Sequence, residues 1–151
     1  MKANRYILSG ILAASLVAGE TLAATALGVR EPTPPGGTSA QVPVTFASDA
    51  AAVALQADVL FDEDLYTVSD AVGGTQPEGV QVQSRLLEPG RLRVIVFHRS
   101  SGALGSDVVF MVPLEAVSGK VADDPVVITN ILVAGQGGGT LTSTLLPKVR
   151  L

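Results

Sequence analysis

The sequence predicts an all-β sandwich, on three observations. Apolar and polar residues alternate with period two in one stretch after another, which marks half-buried strands. Beyond the first two dozen residues, no stretch carries the 3.6-residue period of a helix. The alternating runs are separated by short Gly- and Pro-bearing turns, the pattern of sandwiches and barrels.

The first 23 of the 151 residues read as a secretory signal peptide. Lys2 and Arg5 give a positive start, and Ile7 to Ala18 an apolar stretch too short to span a bilayer comfortably. Thr21-Leu22-Ala23 places small residues around a cleavage point, with Ala24-Thr25-Ala26 as a second site. Residues 24–40 include Glu31-Pro32-Thr33-Pro34-Pro35-Gly36-Gly37 and are expected to be a Pro/Gly linker. The domain is then expected over 41–151.

Within it, Gln41–Ser48 alternates, with Val42, Val44 and Phe46 on one face. Pro43 cannot donate to a ladder, which predicts an edge position or strand start. The chain is organised around the next strand, Val53–Phe61. There Leu55, Ala57, Val59 and Phe61 share one side with Val53, and Ala54, Gln56, Asp58 and Leu60 the other. It runs into a corner, Asp62-Glu63-Asp64-Leu65, where the Asp62 carboxylate can accept backbone N–H groups just beyond it. Phe61 and Leu65 are expected to point back into the core.

Tyr66–Val72 reads as a short strand and Gly73–Gly79 as a loop. Val80–Leu86 and Arg91–His98 form a hairpin around Glu88-Pro89-Gly90, the second arm apolar on both sides and expected to be covered on both faces. Val108–Val117, interrupted by Pro113, and Val126–Ala134 are further strands. Gly135–Gly139 is a turn, and Thr140–Leu151 holds one or two last strands.

A strand ending in aromatic-Asp-x-x-Leu (Phe61, Asp62, Leu65), followed by another strand and a glycine, resembles the cohesin domain. The likeness extends over Val42-Pro43-Val44-Thr45-Phe46, Gly90–Phe97 with Ser100-Ser101-Gly102 after it, Val108–Glu115, and Val127-Ile128-Thr129-Asn130-Ile131 with Gly135. The resemblance implies a β-sandwich of about nine strands with jelly-roll topology and no catalytic activity. It implies a protein partner, a dockerin-like module that can itself require calcium, or a cell-surface component, possible roles including polysaccharide breakdown. Dockerin-binding members carry short polar residues on the outward side of the central strand. Those positions here hold Ala54 and Gln56, so the fold is better supported than ordinary dockerin binding.

The chemistry legible in the residues is sparse. Ten Lys and Arg stand against 14 Asp and Glu, for a net charge of −4. An acidic chain without a basic cluster is a poor partner for nucleic acid or anionic lipid. There is no Cys, so neither disulfide nor thiol chemistry arises. His98, the one histidine, has no evident nucleophile beside it and reads as a rim residue. Asp58, Asp62, Glu63 and Asp64 form the densest carboxylate cluster, but without the loop length and glycine of a calcium hand. No acidic partner for a glycosidase pair is identifiable. Gly137-Gly138-Gly139 lacks the helix and Lys of a phosphate loop. No catalytic, cofactor-binding or metal residue is therefore assigned. The alternative class is a carbohydrate-binding module at the cell surface or in the periplasm. With no Trp, a stacking platform would need Tyr66 and Phe97 exposed together. The expected partner-binding face comprises Gln56, Asp58, Gln81, Gln83, Arg85, Arg91 and Arg93, of which Gln81, Gln83 and Arg85 share one side of their strand and Arg91, Arg93 and Ile95 one side of the next.

Overall fold

The computed structural model describes residues 25–48 and 50–146. The expected signal peptide, Asp49 in the turn after Ser48, and residues 147–151 lie outside the described residues. Among those described, eleven strands and no helix occur: β1 (Thr25–Val29), β2 (Ser39–Ser48), β3 (Ala52–Phe61), β4 (Tyr66–Val68), β5 (Val72–Gly73), β6 (Val80–Glu88), β7 (Arg91–His98), β8 (Asp107–Ala116), β9 (Val126–Gly135), β10 (Thr140–Leu141) and β11 (Ser143–Leu145).

One sheet runs β11-β1-β2-β8-β4, with β5 also on β8; the other runs β10-β9-β3-β7-β6. All pairs are antiparallel except β1 with β11. The core lies between the sheets. Leu27, Val42, Val44, Phe46, Val109, Phe110 and Val112 enter it from the first, and Leu55, Ala57, Val59, Leu92, Val94, Val96, Ile128 and Val133 from the second. Each fully buried Val or Leu contributes roughly 1.5–3 kcal/mol, which is why the period-two pattern fixes which face turns inward. β3 is the middle strand of its sheet. A register shift between Ala52 and Ala54 puts Ala52, rather than Val53, in the core.

The sandwich begins earlier than expected. Residues 24–40 are not all linker: β1 lies inside that stretch, pairs with β2 from Thr25↔Ser48 to Val29↔Val44, and buries Leu27 completely. The five residues of β1 precede the proline-rich run, whose composition masked them. That run is also tied down, since Thr33 and Gln41 exchange backbone hydrogen bonds at 2.8 Å.

Consequently β2 is an interior strand, and Pro43 is not at an edge. The Pro43 carbonyl accepts the Arg30 N–H at 2.9 Å, just past the end of β1. In an antiparallel ladder a residue's N–H and C=O point to the same neighbour, so the missing donor faces the side where the β1 ladder has already ended. Pro113 in β8 follows the same logic: its carbonyl accepts the Ser69 N–H at 3.1 Å, one residue beyond β4.

The Asp62 corner forms as an Asx-turn, Asp62 Oδ1 accepting the Asp64 N–H at 2.9 Å, while the Asp62 carbonyl accepts from Leu65 and Tyr66. Its side-chain directions differ from the expectation. Phe61 packs against the core, but Leu65 is 52% exposed and Tyr66 is buried instead, its hydroxyl accepting the Ala122 N–H at 3.1 Å. The turn delivers the chain into β4 one residue later than the aromatic-Asp-x-x-Leu spacing implies. The predicted Tyr66–Val72 strand is two pieces, β4 and β5. The β6–β7 hairpin closes at Gly90, which holds φ at +83° and accepts the Phe61 N–H through its carbonyl. β7 is covered on its inner face alone; its outward side is open, with Ile95 39% exposed.

Candidate partner-binding face

The open side of the β10-β9-β3-β7-β6 sheet gathers the residues singled out from the sequence. Cross-strand partners share a face. Gln56 lies opposite Ile95, Asp58 opposite Arg93 and Leu60 opposite Arg91 across β3–β7. Gln81 lies opposite Phe97, Gln83 opposite Ile95 and Arg85 opposite Arg93 across β6–β7. The structure thus brings Gln56, Asp58, Gln81, Gln83, Arg85, Arg91 and Arg93 to one surface.

Asp58 is the exception in accessibility. Its side chain is fully buried although it stands on the outward face, because its neighbours close over it. Arg93 donates from Nε and Nη2 to the two carboxylate oxygens at 2.7 and 2.9 Å, a bidentate pair. Asn130 Nδ2 donates to Oδ2 at 2.9 Å, and Arg91 Nε lies 3.8 Å from the same oxygen. The Arg93 hydrogen bond holds the Asp58 carboxyl below its ordinary value, with Asn130 and the charges of Arg93 and Arg91 adding to this and burial opposing it. Asp58 is therefore not itself a contact residue. It orients Arg93, whose side chain keeps a third of its surface exposed.

Asn130 was not among the sequence candidates. It sits in a bulge: β9 uses three steps, Thr129 to Leu132, against two in β3, Asp58 to Gln56. Its φ of +50° is the left-handed region that Asn tolerates better than most residues. The bulge aims its amide at Asp58. The Thr129-Asn130 pair interrupting an apolar strand was the available signal.

Beside this polar centre the face is apolar. Leu132 is 56% and Val127 57% exposed. A shallow depression of about 270 Å³ is lined by Ala54, Gln56, Ile95, Leu132, Ala134 and Thr140. A second, of about 350 Å³, adjoins it and is lined by Gln56, Arg93, Asn130, Ile131 and Leu132.

The other candidates lie elsewhere. His98 Nδ1 accepts the Ser100 N–H at 3.1 Å, and its ring is flanked by Gly79 and Gly102, where added Cβ atoms would come within 2.9 and 2.7 Å of it. It is a packed residue of a loop junction. Asp62, Glu63 and Asp64 form the turn described above, and among the described residues no group of three or more His, Asp or Glu is arranged to hold a metal ion. Tyr66 is buried, so Tyr66 and Phe97 do not form a joint stacking platform. Among the described residues no helix is long and apolar enough to cross a membrane.

With eleven strands in two facing sheets, β3 central and its outward side open, the architecture matches solved cohesins. The chain has the cohesin fold. A non-cellulosomal cohesin from the hyperthermophilic archaeon Archaeoglobus fulgidus is 15% identical at a TM-score of 0.62, over 85% of this chain and 88% of that one. The sixth cohesin of scaffoldin B from Acetivibrio cellulolyticus, solved with a dockerin, is 16% identical at 0.61, over 85% and 96%. A type I cohesin from Clostridium thermocellum, also in complex with a dockerin, is 14% identical at 0.60, over 83% and 96%. No family model matches the sequence, and no curated protein matches it.

Proposed function

We propose that this protein is an exported, non-catalytic attachment module that binds a protein partner through the outward face of the β10-β9-β3-β7-β6 sheet. The observation that carries this is the face itself: a broad sheet surface on which exposed Ile95, Leu132 and Val127 surround an arginine held rigid by a buried carboxylate. Interfaces of this kind use apolar side chains and a preorganised Arg as anchors. Cohesin-fold neighbours solved in complex with dockerins support a protein partner. The partner is a dockerin-like module or a cell-surface component, with calcium, where it matters, held by the partner. Export rests on the signal-peptide reading of residues 1–23.

The test is a pull-down from the secreted and envelope fractions of the source organism, with the full chain as bait, run with calcium and with a chelator. A protein retained by the wild type and lost with Ile95→Asp is the expected result. Retention of an insoluble polysaccharide with no protein partner would overturn the proposal.

A further inference from the structure

We infer that two copies of this chain join edge to edge through β6, as antiparallel strands about a two-fold axis at Gln83. β6 ends its sheet and has a ladder on one side alone, with β7. The directions of its backbone groups follow from one bond. The Arg99 N–H donates to the Gly79 carbonyl at 2.9 Å, so Gly79 points toward β7. In an antiparallel ladder the N–H and C=O of a residue point to the same neighbour, and successive residues alternate. Gln81, Gln83 and Arg85 therefore bond to β7, while Val80, Val82, Ser84 and Leu86 turn their backbone groups to the open edge. Among the described residues, the one backbone bond on that edge is local, from the Val80 N–H to the Pro77 carbonyl at 3.3 Å. β5 lies against Val82, where a Cβ on Gly73 would stand 3.8 Å from it, but its ladder is with β8.

The other free edges are blunted in ways that keep sheets from joining. The side of β9 away from β3 carries β10 at Val133 and Ala134, and the strand is bent by the bulge at Asn130. β4 has three residues, β5 two and β11 three. β6 has nine, with no Pro and no Lys, and its own irregularity comes only after Leu86. Apolar surface also borders this edge, Leu86 being 50% exposed and Val72 of the adjoining β5 38%.

The strand is self-complementary. An axis at Gln83 sets Val82 opposite Ser84, and Val80 opposite Leu86, of the second copy. Every open-edge residue of each copy then has a partner, and Leu86 gains Val80 as an apolar neighbour. Moving the axis to Ser84 would leave Val80 opposite the irregular end of the strand. On the outward face Gln83 meets its own copy and Arg85 meets Gln81, so no like charges oppose each other between Val80 and Leu86. The two β10-β9-β3-β7-β6 sheets become one, with their outward faces on the same side. The dimer thereby presents two attachment faces together, and a partner with two sites is held by both. That consequence rests on the face assigned above; the pairing of β6 does not.

The experiment is sedimentation equilibrium of the purified protein over about two decades of concentration, repeated with Gln83→Lys, with Gln83→Glu, and with the two variants mixed. Gln83 is exposed, so neither substitution should disturb the fold. A wild type in monomer–dimer equilibrium, an association constant lowered at least about tenfold in each variant alone, and dimer restored in the mixture would support the inference. Amide exchange followed by NMR locates the contact. Val82, Ser84 and Leu86 should gain protection as the dimer forms, while Gln81, Gln83 and Arg85 are protected throughout. A wild type that stays monomeric, a dimer blind to both charges, or protection gained elsewhere overturns it. The experiment contains no partner, so its failure leaves the proposed attachment face untouched.

Discussion

Arg93 grips both oxygens of Asp58 across the β3–β7 ladder, at 2.7 and 2.9 Å, on the side of the sheet that faces away from the core. A buried carboxylate on an outward surface is stable only while its partner remains. Arg93→Ala should therefore lower the stability of the fold clearly, because it leaves the Asp58 carboxylate buried without its bidentate partner. Replacing both partners together, Asp58→Leu with Arg93→Leu, should cost clearly less than Arg93→Ala. Urea denaturation of the three chains measures this.

The same pair sets a pH dependence. The Asp58 carboxyl titrates below its ordinary 3.8 in the native state. As pH falls the unfolded chain takes up the proton first, so the contribution of Asp58 is complete above that ordinary value and is lost as pH drops through the native one. The urea midpoint should fall below about pH 4, and Asp58→Asn should flatten that part of the profile.

Asn130 serves Asp58 through a left-handed backbone position. Asn130→Ala loses both the amide bond and the side chain that tolerates that conformation, and should cost roughly 1–3 kcal/mol. Asn130→Gly should recover the backbone part alone and fall between wild type and Ala in thermal denaturation.

Leu27 is fully buried in β1. Leu27→Ala should destabilise by about 2–5 kcal/mol, and a chain starting at Gln41 should fail to give a cooperative unfolding transition. A chain from Gln41 as stable as the full one would show β1 to be dispensable.

At the Asp62 corner, the exposed Leu65 and the buried Tyr66 make opposite predictions. Leu65→Ser should change stability by no more than about 0.5 kcal/mol. Tyr66→Ala should cost about 3 kcal/mol or more, by analogy with other aromatic truncations. Tyr66→Phe should cost about 1 kcal/mol, the hydroxyl that accepts from Ala122 being lost. Chemical denaturation separates the three.

The sequence by itself determined the all-β class, the span of the long strands to within a few residues, and the side of the β6–β7 hairpin that Gln83 and Arg85 share with Arg91 and Arg93. Those follow from period-two alternation, which is local and needs no knowledge of what packs against what. The tertiary structure alone decided the rest. β1 is too short to announce itself beside a proline-rich run and is a strand because β2 and β11 offer it ladders on both sides. Pro43 sits in an interior strand because the neighbouring ladder ends one residue before the missing donor would be needed. Asp58 looked like an exposed contact residue, since alternation reports the face of a side chain and not what covers it. Its burial depends on Arg93 from a strand 35 positions along the chain and on Asn130 at 72 positions, delivered by a bulge. No local pattern encodes a convergence of three strands on one carboxylate; only the packed sheet does.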